Sequence, residues 1–184
     1  MKMSSLVAGF GGAPVRIHVA AFPEHEFYAR HMVRVAAEAL ATYSRWLGPY
    51  PWADFTVSEA FFGWNGNECS TLVMMDERVF GMPHVGAGYV EYLLTHEVCH
   101  QWFYCQVGTN GYCETWMDEA FANHFTNRVL AERHGKNNPL MKYPTGLRWL
   151  PNIHRDDFRS AGMYATFGRG QDMAILQPME KFGH

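Results

Sequence analysis

No stretch of this 184-residue sequence approaches the ~20 apolar residues that a membrane helix needs. Cysteine is scarce, with Cys69, Cys99, Cys105 and Cys113 the only four. No two of them stand in C-x-x-C spacing, which argues against a cysteine-built zinc site and leaves a Cys105–Cys113 disulfide open. Surplus positive charge is absent as well. Fifteen Lys and Arg against eighteen Asp and Glu give a net charge of -3, which offers no footprint for nucleic acid or an anionic membrane. Residues 1–10 are too weakly apolar for a secretory leader; the compartment stays open, with the cytoplasm slightly favoured. No internal repeat or low-complexity tract occurs. What is plentiful is apolar side chain: 48% hydrophobic residues against 18% charged ones mark a globular chain with a sizeable core.

Against that background one stretch carries chemistry: His96-Glu97-Val98-Cys99-His100. Two histidines four apart on a helix project from one face, roughly 40° apart around the axis. Such a pair can grip one metal ion with two imidazoles, and zinc then needs a third protein ligand and an open position for water. Glu97 adjoins the first histidine and is placed to take a proton from that water. After eighteen intervening residues, a second helical stretch brings Glu119, the best candidate for the third ligand. A third-histidine arrangement fails, because that ligand would fall on Gln106 and its accompanying glycine on Phe103. Cys99, between the two histidines, reads as a small buried residue. His124 lies roughly 140° around the helix from Glu119 and is set aside.

HEVCHQWF followed by the acid of WMDEAFA resembles the gluzincin aminopeptidases, the family of aminopeptidase N and leukotriene hydrolase. The resemblance implies one zinc ion on His96, His100 and Glu119, with Glu97 as general base. It implies an α+β, thermolysin-like catalytic domain, with a small sheet edging the cleft and helices bearing the metal. It also implies removal of N-terminal residues from peptides with a free amine. Ala120 stands where the family has glycine. The family's Gly-x-Met-Glu-Asn stretch has a loose counterpart in Gly66-Asn67-Glu68-Cys69, which makes Glu68 the expected anchor for the substrate amine. Asn67 and Cys69 depart from that pattern, so a gluzincin endopeptidase stays open beside the aminopeptidase, and the absence of the family's tyrosine, described below, keeps a non-catalytic zinc-binding module open as well.

In chain order, residues 1–14 read as irregular and Val15–Val19 as a short strand at a sheet edge, left over from a preceding domain. Pro23 to Trp46 reads as a long helix with Val33, Ala36, Ala37, Leu40, Tyr43 and Leu47 at helical spacing, stopped by Gly48-Pro49. Residues 55–62 and 68–75 read as strands separated by a turn. Residues 76–87 read as a connection over the cleft. The motif helix is expected over 89–104. The second ligand helix is expected from Thr115, as N-cap, to His134, closed by Gly135. Asn123 is expected to orient a ligand, and Asp118 to be structural. Beyond 139 the pattern weakens to mixed loop and helix, with an amphipathic segment near the end.

Peptide hydrolysis also needs a donor for the oxyanion. The resembled family uses a tyrosine in a Tyr-x-Lys-Gly context, whereas this chain has Phe167-Gly168-Arg169-Gly170. Three readings follow: the tyrosine lies beyond residue 184, Tyr164 replaces it, or it is lost. The first is preferred. The 184 residues then form part of one catalytic domain, with the motif-bearing core at about 15–135 and the family's N-terminal β domain and C-terminal helical domain absent.

Overall fold

The computed structural model describes residues 2–9 and 14–170. A five-stranded mixed sheet is built from β1 (Lys2–Gly9), β2 (Pro14–Ala21), β3 (Asp54–Ala60), β4 (Gly66–Cys69) and β5 (Leu72–Asp76), in the order β1-β2-β3-β5-β4. β2, β3 and β5 run parallel, while the outer strands β1 and β4 are antiparallel to their neighbours. Residues 2–9 are thus a strand and not irregular, and β2 lies inside the sheet and not at its edge. The strand character of β1 comes from its pairing with β2, a non-local contact that weak local propensity does not announce.

Alternation along the strands sets the core face. Val15, Ile17 and Val19 of β2, Phe55 and Val57 of β3, and Val73 and Met75 of β5 are all buried. On the opposite face of β2, Arg16 and His18 point outward and meet Asp54 of β3. Helix α1 (Glu26–Leu47) joins β2 to β3 as a crossover and packs on β1 and β2. Its buried face carries Met32, Val35, Ala36, Ala39, Leu40 and Tyr43, while Val33 and Leu47 are only partly covered. Truncating a core leucine such as Leu40 to alanine costs about 2–5 kcal/mol. Gly48 closes α1 with φ of 110°, a conformation open to glycine and strained for other residues.

The segment 68–75 is a hairpin instead of one strand. β4 and β5 are separated by Ser70 and Thr71, and Thr71 has φ of 64°. The segment 76–87 contains α2 (Glu77–Phe80), whose Val79 and Phe80 pack into the main core. It is anchored by Asp76, whose carboxylate accepts from the Arg78 backbone N–H (3.1 Å) and guanidinium (2.6 Å) and from the N–H groups of Phe62 and Gly63. The Arg78 guanidinium, together with these N–H groups, holds that carboxyl well below its ordinary range.

Helix α3 (Ala87–Cys99) packs against α1, β4 and β5, and α4 (Trp116–His134) packs against α3. Val90, Leu94 and Val98, four apart, give α3 its buried stripe. The helix ends at Cys99, five residues before the expected Tyr104, and His100 is its C-cap. The chain then turns through Gln101, Trp102 and Tyr104, whose φ is 96°. Trp102 anchors the turn by donating its indole N–H to the carbonyl of Gly48 (2.9 Å). α4 has the expected span and stops at Gly135, but Thr115 does not cap it: the hydroxyl donates backward to the carbonyl of Gly111 (2.6 Å). Residues 155–168 form α5 (Arg155–Gly168), and the expected amphipathic segment after it lies outside the described residues. No described helix is long and apolar enough to cross a membrane.

Candidate metal centre

α3 and α4 run antiparallel and are tied at both ends. At one end Glu91, buried on α3, pairs with His134 (2.8 Å) and Arg133 (3.4 Å) of α4. At the other end Glu119 of α4 reaches back to α3, with one carboxylate oxygen 3.2 Å from His96 Nε2 and the other 3.6 Å from His100 Nε2. The two Nε2 atoms are themselves 3.3 Å apart. Glu119 sits in the first turn of α4, where the helix dipole favours a carboxylate.

These spacings can be tested against zinc. Four ligands at about 2.0–2.1 Å in tetrahedral array put neighbouring ligand atoms about 3.3 Å apart. The three observed separations fall at or near that length, so the set fits. His100 Nδ1 lies 3.3 Å from the carbonyl of Phe103, which fixes the proton there and leaves the Nε2 lone pair facing His96 and Glu119. His96 Nδ1 is buried without a hydrogen-bond partner among the described residues, so that ring interacts through Nε2 alone.

The electrostatics follow from burial and like charges. Burial opposes protonation of His96, but the hydrogen bond and charge of Glu119, with Glu97 and Glu68, outweigh it and raise the imidazole above its usual range. Burial and then His96 push His100 the other way, down. Burial would lift Glu119, yet its contacts with His96 and the charge of His100 hold it below the ordinary value. Burial pushes the Glu97 carboxyl up to about 8, a rise that Glu68 and Glu119 reinforce and His96 opposes. Glu97 is 5% exposed and lies against β4: a Cβ built on Gly66 would stand 2.5 Å from Glu97 Oε1. Only a glycine leaves the room that this carboxylate uses.

Glu68, on β4, faces the same centre. Its carboxylate and the ligand atoms of Glu97 and His100 all lie within 4.8 Å of one another. Two cavities flank Glu119. One, about 420 Å³, has Glu68, Tyr104, Tyr112, Asp118 and Glu119 in its wall. The other, about 380 Å³, opens between Trp64, Tyr89, Tyr92, Phe158, His96 and Glu97. Asn123 lines the second cavity and accepts from the hydroxyl of Tyr92 (3.3 Å) instead of holding a metal ligand. Asp118 is buried and takes the Thr109 hydroxyl (2.9 Å) and the N–H of Glu119 (2.7 Å), a structural position that also borders the first cavity.

The aromatic walls escaped the sequence reading, because Tyr89 and Tyr92 look like ordinary core residues of a buried helix. Tyr164 lies exposed on α5 and lines neither cavity, so it is not placed to replace the missing donor. The side chain of Phe167 lies outside the described residues. All four cysteines are free, and no Cys105–Cys113 bridge forms. Cys99 is buried beside the ligands with its thiol pushed by burial up to about 12, which makes it inert. His124 packs edge-on against Phe125, away from the site.

No family model matches the sequence, and no curated protein matches it. Among solved structures, the fold is similar to a mutant M1 zinc metallopeptidase from Deinococcus radiodurans, with a TM-score of 0.51 and 21% identity over 74% of this chain. It is similar also to a mutant two-domain M1 zinc metallopeptidase bound to L-arginine, with a TM-score of 0.51 and 23% identity over 73% of this chain. This chain spans 30% of the length of each. At such identity the likeness is one of fold: a mixed sheet with packed helices, compatible with part of an M1 metallopeptidase domain.

Proposed function

We propose that the chain carries the catalytic centre of a zinc metallopeptidase that removes N-terminal residues from peptides. The observation that supports this reading is the convergence of His96, His100 and Glu119 at zinc-ligand spacing, with Glu97 buried beside them. His96, His100 and Glu119 would hold one zinc ion. When bound, zinc supplies the Lewis acidity that polarises a scissile carbonyl and acidifies water. Glu97 takes a proton from the attacking water and hands it to the leaving amine. Glu68, at the edge of the sheet, accepts hydrogen bonds from the substrate's terminal ammonium and so selects a free N-terminus. The walls of Tyr89, Tyr92 and Trp64 exclude water from one side of the reacting bond.

The test is hydrolysis of free and N-acetylated aminoacyl amides by the zinc-loaded chain, with zinc measured on the same sample. Zinc bound and only free amines cleaved is the expected result. Cleavage of both forms would assign an endopeptidase and remove Glu68 as amine anchor. Zinc bound with no cleavage of either would mean that the centre binds metal but lacks the oxyanion donor.

A further inference from the structure

Gln101 follows the second histidine of the motif and is wholly buried, yet it touches no metal ligand. Its carboxamide reaches across to the hairpin of β4 and β5. Oε1 accepts from the backbone N–H of Thr71 (2.8 Å), and Nε2 donates to the carbonyl of Cys69 (2.8 Å). Nε2 also lies 3.9 Å from Cys105 Sγ. Turning the amide over would set Nε2 against an N–H and Oε1 against a carbonyl, so one orientation is forced. The backbone beneath it is fixed as well, because the Gln101 N–H donates to the carbonyl of Val98 (3.1 Å) at the end of α3.

The turn that Gln101 grips is a poor one by itself. Cys69 pairs with Leu72, which leaves Ser70 and Thr71 as a two-residue connection. Such hairpins favour turns with positive φ at the first central residue, whose twist matches that of the strands. Here positive φ falls on Thr71 (64°) and not on Ser70. That sign pattern belongs to a turn that splays the strands, and a β-branched residue is a poor occupant of the left-handed position. β4 is also an outer strand, with β5 as its one neighbour in the sheet. The hairpin is therefore held closed from outside. Gln101 grips it on one side, and on the other the N–H of Thr56 donates to the carbonyl of Thr71 (2.8 Å).

We propose that Gln101 is a positioning residue for Glu68: it clamps the hairpin to the end of the motif helix and so sets the Glu68 carboxylate against the metal centre. Glu68 immediately precedes Cys69, whose carbonyl Gln101 holds, and its carboxylate lies within 4.8 Å of the polar side-chain atoms of Glu97 and His100. His100 and Gln101 are neighbours in the chain. One short piece of backbone thus carries a metal ligand and the clamp that places the opposite wall. The consequence for substrates rests on the reading of Glu68 as amine anchor given above; the clamp itself does not.

The test compares the wild type with Gln101→Met, which keeps the length of the side chain and loses both backbone hydrogen bonds. A third chain, Gln101→Met/Thr71→Gly, places at φ of 64° the residue that adopts it freely. Each zinc-loaded chain is followed by amide hydrogen exchange and by rates on free and N-acetylated aminoacyl amides. Gln101→Met is expected to retain zinc and to exchange the amides of residues 67–73 roughly 10–100-fold faster. Its turnover of the free amine should fall by a similar factor, mainly through KM, with any rate on the acetylated substrate unmoved. The double variant is expected to recover most of the exchange protection and of the preference for a free amine. A purely structural role would move both substrates and the zinc content together, and glycine at position 71 would not repair it. Unchanged exchange in Gln101→Met overturns the proposal. So does a double variant no better than the single one, including a single variant that fails to fold and is not rescued. A wild type that cleaves both substrates alike, or neither, overturns the function proposed above and not the clamp, which the exchange rates decide alone.

Discussion

Glu97 and Glu119 are both glutamates within a few ångströms of the same two imidazoles, yet their surroundings assign them different work. Glu119 is half exposed and touches both rings, whereas Glu97 is buried and touches neither. Glu97→Gln should therefore keep the zinc held by His96, His100 and Glu119 while hydrolysis falls on the order of 10²–10⁴-fold, the usual contribution of a general base. Glu119→Ala should release zinc. The two variants are compared by metal analysis and initial rates on one substrate; loss of zinc in the first, or its retention in the second, would reverse the assignments. The convergence of His96, His100 and Glu119 was legible in the sequence because their spacing is itself the geometry: i and i+4 on one helix, and an acid at the start of the next. The direction of Glu68 was less so. The turn that makes β4 a separate strand is Ser70-Thr71, with Thr71 at φ of 64°, and neither residue carries the glycine, asparagine or proline that announces a turn.

Between elements, the position of the centre depends on contacts remote from it. Glu91 fixes the far ends of α3 and α4 through His134 and Arg133. Glu91→Ala leaves Arg133 with Glu38, 3.2 Å away, as its remaining partner and removes the partner of His134. It should lower stability by about 1–3 kcal/mol in urea unfolding and weaken zinc binding without touching a ligand. On the outer face of the sheet, Asp54 joins β3 to β2. The hydrogen bonds from Arg16 and His18 hold its carboxyl down to about 2 in the folded chain, against roughly 3.9 when unfolded. A depressed carboxyl contributes stability that is complete above the unfolded value and fades as pH falls through the folded one. Stability should therefore drop between about pH 4 and pH 2, and Asp54→Asn should flatten that part of the profile in acid unfolding followed by circular dichroism. Helix α1 and strand β3 were readable from periodicity alone. The early end of α3 was not, because apolar residues continue past His100 into a turn that is set by tertiary bonds from Trp102 and Gln101.

For the whole molecule, a metal held by both α3 and α4 binds the folded chain and not the unfolded one. At a free zinc level 100 times the dissociation constant this linkage adds about 2.7 kcal/mol. A chelator should lower the unfolding temperature in calorimetry, and rising free zinc should raise it with the logarithm of its concentration. An unfolding temperature indifferent to chelation would mean that the ligands converge only weakly on metal. The sheet order was beyond the sequence, since it is made by pairings between distant strands; β1 in particular is a strand by virtue of β2.

Gly66 and Glu68 share one face of β4, and Asn67 and Cys69 the other, with Glu68 opposite Val73 of β5. That alternation makes the hairpin sensitive to the loss of single codons. Deleting Cys69 while the turn holds would slide Glu68 into its place, rotate the carboxylate to the opposite face, and also bring Asn65 into the place of Gly66, against Glu97 Oε1. Deleting Asn67 instead would keep Glu68 where it is and bring Asn65 into the place of Gly66, setting a side chain against Glu97 Oε1. The deletion of Asn67 would thus disturb Glu97 alone, whereas the deletion of Cys69 would disturb Glu97 and Glu68 together.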